Sequence, residues 1–172
     1  LKELGDLEGA RKCSERILAL DEQALGPDHP RLAQDLAGLA GLLMNLGDPS
    51  AAALYYSRAL AIDERAHGPE HPRVISGLED LARACEESGR LAEARACYER
   101  ALQAAEKAFG PSHLRTAAAA QKLGGAQRAL GDLPAARASF TRALRILEPY
   151  LPPGHPNLLA LEQALQEAGP AS

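Results

Sequence analysis

The chain has 172 residues, 46% of them hydrophobic, enough for one ordinary domain with a substantial core. Aromatic residues make up only 3%, Trp is absent and β-branched residues are few. The core must then be built from Ala and Leu on closely approaching helices, and no sheet is expected. The 19 basic and 23 acidic residues leave a formal charge of −4, which gives no general attraction to nucleic acid or to an acidic membrane surface.

Leu1-Lys2-Glu3-Leu4 is amphipathic and lacks the apolar segment of a signal peptide, and no run in the chain approaches a membrane span. These four residues align with Leu43 to Leu46, so residues 1–4 read as the end of a truncated first helix. With no initiator Met, the chain is expected to begin inside a longer protein. A turn at Gly5 and a helix over 7–25 follow. That helix is expected to lack its usual partner, so that Ile17, Leu18 and their neighbours either contact another copy of the chain or fray. Further helices are expected over 30–46, 49–67, 72–88, 91–109, 114–130, 133–150 and 156–168. Leu32, Leu36, Leu39, Leu43 and Leu46 fall on one side of the second, and Ala52, Tyr56, Ala59, Leu60 and Ile62 on one side of the third.

The organising feature is an internal repeat of 42 residues without a gap. Gly5, Gly47, Gly89 and Gly131 fall in register, as do Ala10, Ala52, Ala94 and Ala136. So do Arg16, Arg58, Arg100 and Arg142, and Leu18, Leu60, Leu102 and Leu144. Glu22, Glu64, Glu106 and Glu148 follow, then His29, His71, His113 and His155. Each block has two breaks. Gly47, Gly89 and Gly131 each stop a helix before a short polar step. The second break reads LGPDHP at 25–30, HGPEHP at 67–72, FGPSHL at 109–114 and LPPGHP at 151–156. Its Gly supplies a left-handed cap, and Pro30, Pro72 and Pro156 suit the first position of the next helix. The organisation is a single array over 1–172: a half repeat at 5–25, full repeats at 30–67, 72–109 and 114–150, and a terminal helix at 156–168.

This pattern resembles the tetratricopeptide repeat, in the 42-residue variety of kinesin light chains. The residues that carry the resemblance are Leu36, Leu39, Ala40, Leu43, Gly47, Ala52, Tyr56 and Ala59, with their counterparts Leu78, Leu81, Ala82, Cys85, Gly89, Ala94, Tyr98 and Ala101. The third block supplies Ala120, Leu123, Gly124, Gln127, Gly131, Ala136, Phe140 and Ala143. The LG-x-x-HP connector marks the variety. The resemblance implies an all-α fold, a right-handed superhelical solenoid of antiparallel helix pairs whose first helices line a concave groove. It implies a scaffold that binds a peptide or protein there. An alternative is an intramolecular sensor or regulatory arm of a larger signalling protein, such as a STAND-type NTPase.

Groove positions carried over from the family are Gln34, Ala37, Gly41, Met44 and Asn45, then Ser76, Glu79, Arg83, Glu86 and Glu87, then Ala118, Gln121, Gly125, Arg128 and Ala129. Ala160, Gln163 and Glu167 extend them. Kinesin light chains place Asn beside the first-helix Leu. Here the matching positions hold Ala37 and Gly38, Glu79 and Asp80, and Gln121 and Lys122, so the kinesin cargo peptide is not carried over. Instead Glu79, Asp80, Glu86 and Glu87, with Arg83 the lone counter-charge, suit a partner with basic residues over the middle repeat.

No catalytic, metal or cofactor site is expected. The four in-register histidines repeat once per unit and cannot converge on one metal. Each is expected to brace its connector, hydrogen-bonded to the Glu seven residues before it, while His67 is expected to be packed or solvated. Cys85 stands at the register of Leu43 and reads as core, and Cys13 and Cys97 read as buried or half-buried. With no CxxC pair and an odd count, three Cys suggest a reducing, cytoplasmic setting. Neighbouring carboxylates such as Glu79 and Asp80 diverge around a helix and do not form an acid–base pair. Gly38, Gly41, Gly124 and Gly125 inside first helices allow either close packing between first helices of adjacent repeats or a low groove floor that a partner can approach.

Overall fold

The computed structural model describes residues 2–169, with side chains from Leu7 onward. Among them are eight helices and no strand: α1 (Lys2–Leu25), α2 (Leu32–Asn45), α3 (Pro49–His67), α4 (Pro72–Glu87), α5 (Leu91–Phe109), α6 (Leu114–Ala129), α7 (Leu133–Leu147) and α8 (Pro156–Glu167).

The repeat survives at the level of single hydrogen bonds. After α2, Gly47 has φ 79°, the Asp48 N–H donates to Leu43 O at 2.9 Å and the Gly47 N–H donates to Met44 O at 3.0 Å. This crossed pair satisfies two of the carbonyls that a helix end leaves bare. Arg90 to Cys85 and Gly89 to Glu86 repeat it after α4, and Asp132 to Gln127 and Gly131 to Arg128 repeat it after α6. The next helix starts at once. Asp48 accepts the Ala51 N–H at 3.0 Å and Asp132 accepts the Ala135 N–H at 3.2 Å, so an N-cap follows directly on a C-cap.

At the other break the histidines do brace the connector, by a different bond from the one expected. His29, His71, His113 and His155 each accept, at Nδ1, the backbone N–H two residues on, over 3.0–3.3 Å. His71, His113 and His155 are the N-caps of α4, α6 and α8, with the imidazole nitrogen doing the work usually given to a Ser or Asp oxygen, while His29 makes the same bond in the tight turn ahead of α2. Of the Glu residues seven positions before them, Glu22 and Glu106 pair instead with Arg58 and Arg142. Replacing His71 or His113 by Ala is expected to lower stability by about 0.5–2 kcal/mol each, and replacement by Asn to recover most of that, in denaturant unfolding. His67 is packed: its ring stacks on His71 with centroids 4.5 Å apart, as Phe109, in register with it, stacks on His113 at 5.0 Å.

Other expectations need correction. No turn occurs at Gly5; α1 runs unbroken from Lys2. Leu1 lies outside the described residues. Four residues make about one helical turn, too little to form a packed partner, and without packing nothing favours a bend over a continued helix. Pro30 is not the first residue of α2. Ala33 N–H donates to Pro30 O and Gln34 N–H to Arg31 O, three residues back, so a tight turn precedes the helix proper. Helix α7 ends at Leu147 rather than at 150: Glu148 still has helical geometry as the C-cap, but Pro149 has no N–H with which to continue the ladder. Cys13 is exposed, whereas Cys97 is half-buried and Cys85 buried as expected.

The helices form two compact units, 1–90 and 91–172. In the first, α2 packs on α1 and α3, and α3 on α4. Its core holds Leu32, Leu36, Leu39, Ile62, Val74, Ile75 and Leu78. In the second, α6 packs on α5 and α7, and α7 on α8. Its core is richer in Ala, with Ala117, Ala119, Ala120 and Ala126 beside Leu161 and Phe140. Arg137 of α7 ties down the end of α8 by donating to the carbonyls of Leu165 and Gly169.

The repeated Glu and Arg find each other. Glu22 of α1 pairs with Arg58 of α3, 36 residues on. Glu106 of α5 pairs with Arg142 of α7 at the same spacing. Each rung joins the second helix of one block to that of the next. With both partners more than a third or close to a third exposed, a rung contributes at most about 1 kcal/mol. Thermal unfolding of Arg58→Ala is expected to show no larger loss.

Candidate functional site

In unit 1 the first helices α2 and α4 flank α3, leaving a cleft of about 340 Å³ between them. Ala33, Gln34 and Ala37 of α2 face Ser76, Gly77 and Asp80 of α4 across it, and Tyr56, Ala59, Leu60 and Asp63 of α3 form its floor. The cleft brings together Gln34, Ala37 and Ser76 of the expected positions. Gly41 borders it: a Cβ there would stand 3.7 Å from the Tyr56 hydroxyl. Met44 and Asn45 lie further along α2 and do not line it. Glu79, Arg83, Glu86 and Glu87 continue the stripe of α4 beyond it. Arg83 reaches back to Asp80 over 3.4 Å.

Tyr56 ties this site together. Its ring is buried, and burial, followed by the nearby Asp80 carboxylate, pushes the phenol above its ordinary range, with Arg83 pulling the other way. The group therefore stays a neutral hydrogen-bonding hydroxyl at any ordinary pH. Asp63 is the second polar group of the floor. Its side chain is 13% exposed, with Arg73 Nε at 3.6 Å and His67 Nε2 at 3.8 Å. Its Oδ1 accepts no hydrogen bond among the described residues. A shielded carboxylate oxygen without a donor is unfavourable unless something supplies one.

In unit 2 a cleft of about 320 Å³ lies between α6 and α8. It gathers Gln121, Gly125 and Arg128 with Ala160, Gln163 and Glu167, around Phe140 of α7. All six were expected at the groove. Ala118 and Ala129 are exposed but do not line the cleft. Arg128 pairs with Glu167, and its guanidinium lies 6.0 Å from the centre of the Phe140 ring. Gln163 donates to the other Glu167 oxygen at 3.0 Å. The positive charge of this stretch is thereby neutralised within the fold.

Residues that sequence reasoning missed are on the floors. Tyr56 and Phe140 were read as core, and Asp63 and Arg73 were not singled out. Register gave Asp63 no clear signal: its mates are Asp21 as well as the buried apolar residues Ala105 and Leu147. The helix glycines also divide. Gly124 packs, but against Phe140 of its own repeat and not against another first helix: a Cβ would come within 2.7 Å of the ring. Gly38 and Gly125 have open space where a Cβ would go, so close packing explains neither. Among the described residues no group of three or more His, Cys, Asp or Glu could hold a metal ion. No described helix is long and apolar enough to cross a membrane.

Antiparallel helix pairs repeated at one register, with first helices framing shallow clefts, define an α-helical repeat protein of the scaffold class. The model of the tetratricopeptide repeat matches residues 1–65, 36–96 and 75–148, and the chain belongs to that family. Its fold is the all-α solenoid of helix pairs that such repeats build, a fold that typically serves as a scaffold for other proteins. No curated protein sequence matches the chain. Among solved structures it is similar to a putative kinesin light chain of Podosopora anserina with nearly identical TPR-like repeats. The TM-score is 0.83 at 24% identity, over 95% of this chain and 78% of that one. BtubC (BKLC) from P. vanneervenii gives 0.76 at 25% identity, over 97% and 70%. MamA gives 0.68 at 18% identity, over 97% and 79%, a likeness of fold alone.

Proposed function

We propose that this protein holds a peptide segment of a partner against its first helices, with a basic or amide donor of that peptide seated in the unit 1 cleft. The observation that carries the reading is the shielded Asp63 oxygen without a donor, on a floor shared with the Tyr56 hydroxyl and beside Asp80. A Lys, an Arg or a backbone N–H entering there gains charge-assisted hydrogen bonds that the empty cleft lacks. The acidic stripe of Glu79, Glu86 and Glu87 on α4 extends the same preference along the helix. Unit 2 offers a different lining, with Arg128 already paired, so selectivity for charge falls on unit 1.

The test begins with a displayed library of random peptides sorted on the intact protein. Enrichment of Lys or Arg next to apolar positions is expected. The selected peptide is then titrated against wild type, Asp63→Asn and the double variant Glu79→Gln/Glu86→Gln. Both should bind several-fold more weakly with helicity unchanged. Binding should also weaken as salt rises, because exposed charges are screened within about 8 Å at physiological ionic strength, chiefly through slower association. Equal affinity of all three proteins at low salt would remove the acidic cleft and leave the scaffold role alone. Binders without any basic residue would do the same.

A further inference from the structure

Helix α7 differs from the other second helices in its charge. Between Leu133 and Leu147 it carries Arg137, Arg142 and Arg145 and no Asp or Glu. At the register of Arg137, α1 holds Arg11 and α5 holds Arg95. Each of those has a Glu one turn on, Glu15 at 3.7 Å and Glu99 at 3.4 Å. In α7 the place of that Glu is taken by Thr141. One turn further, where α3 and α5 hold Ala61 and Gln103, α7 holds Arg145. One face of the helix has thus lost an acid and gained a base.

The arginines keep donors to spare. Arg137 donates through one nitrogen to the carbonyls of Leu165 and Gly169, and Arg142 pairs through one nitrogen with Glu106. A guanidinium has several N–H donors in a planar fork, so both retain N–H groups for another acceptor. Arg145 is exposed and has no partner among the described residues, not even Glu148 at the C-cap. With Pro134, Ala138 and Thr141, the three arginines line an open hollow of about 580 Å³ along α7. This face turns outward in every full block: Leu54, Ser57 and Ala61 on α3, and Ala96 and Gln103 on α5, are exposed at the same registers. Its exposure therefore belongs to the repeat and not to the place of α7 in the chain. It lies opposite Ala136, Phe140 and Ala143, the buried side of the helix.

We propose that this face is a second binding surface, for an acidic segment of a partner protein whose carboxylates take the spare donors of Arg137, Arg142 and Arg145. Carboxylate and guanidinium match through two parallel N–H···O bonds, and the Thr141 hydroxyl adds a donor between the arginines. From Arg137 to Arg145 the helix rises about 12 Å. An extended segment covers that distance in about four residues at ~3.3 Å each, so the best fit has two carboxylates about four residues apart. Nucleic acid fits worse, since no aromatic side chain among the described lining residues offers a base a stacking surface and the chain's formal charge is −4. The surface lies in unit 2 and takes charge opposite to that taken by the cleft of unit 1.

Titration of the protein with an oligoglutamate peptide at low salt, followed by its amide resonances, tests this. The resonances of α7 should shift, and those of α2 and α4 should not. Arg145→Glu and Thr141→Glu alter exposed positions and should leave helicity unchanged. The first sets a like charge against the peptide and should weaken binding by about tenfold or more. The second returns to α7 the acid that α1 and α5 carry one turn after their Arg, and should weaken binding by about two- to five-fold, as expected of an exposed pair. Asp63→Asn should leave the oligoglutamate affinity unchanged, so this surface and the cleft of unit 1 fail separately. Absence of binding at low salt overturns the proposal, as does equal affinity of wild type and Arg145→Glu. So does tighter binding of single-stranded RNA, or of vesicles containing phosphatidylserine, at the same resonances.

Discussion

Replacing Gly124 by Ala is expected to lower stability by about 1–3 kcal/mol, whereas the same change at Gly38 or Gly125 should raise it by about 1 kcal/mol. All three lie inside first helices, where Ala is the better helix former by the same amount. The sign is set by what a methyl group would meet. At Gly38 and Gly125 it meets nothing within 4 Å. At Gly124 it meets Cδ1 and Cε1 of Phe140 at 2.7 Å and Cζ at 3.1 Å. The ring is buried and cannot swing into solvent, so α6 and α7 must separate or the ring must leave its rotamer. Chemical denaturation of the three variants checks the order. The cause is isolated by combining Gly124→Ala with Phe140→Leu. Phe140→Leu alone opens space and destabilises, but in the double variant the Ala methyl fills part of it, so the two losses should sum to more than the loss measured together.

Tyr56→Ala should cost about 3–5 kcal/mol, the range for deleting a buried aromatic, while Tyr56→Phe should change stability little. The ring supports α2 and α4 from below, and only its hydroxyl reaches the cleft, between the Gly41 backbone and the Asp80 and Arg83 side chains. Removing the ring collapses the floor. Removing the oxygen takes away one hydrogen-bonding group and leaves the packing. The two variants therefore separate stability from recognition. Thermal unfolding should distinguish Tyr56→Ala from wild type, and peptide titration should distinguish Tyr56→Phe.

The fold was legible because the sequence states it four times. A single Gly47 is a weak turn signal, but Gly47, Gly89 and Gly131 at one register leave little freedom, and all three adopt the same crossed hydrogen bonds. The break expected at Gly5 failed where that redundancy misleads: register supplies the turn residue but not the packed helix that makes the turn favourable. Part of the cleft linings could also be placed from the sequence. Positions on α6 and α8 came together as expected, because a helix face follows from spacing alone. The floor could not be, because it belongs to second helices whose inner residues read as core. Nothing in the spacing shows that the Tyr56 hydroxyl emerges between α2 and α4, or that Asp63 lies beneath them. Nor could spacing assign the partner of each histidine. The expected Glu was close in sequence, yet Glu22 and Glu106 are each held by an Arg from the following block.

The Glu–Arg rungs also bear on how such a chain can change length by recombination. Within each unit, a block offers its Arg to the block before it and its Glu to the one after. Its helix caps, both Asp and His, are satisfied by residues two or three positions away. A crossover between two equivalent codons would remove or add 42 residues and put a residue of the same kind back at every His cap and every Glu–Arg register, while the Asp-cap register holds Arg90 in the middle block. Such an event disturbs the gene in one place and keeps the His caps and the Glu–Arg registers supplied, whatever the point of exchange within the block. Inheritance can thus lengthen or shorten the surface offered to a partner without first having to repair the scaffold.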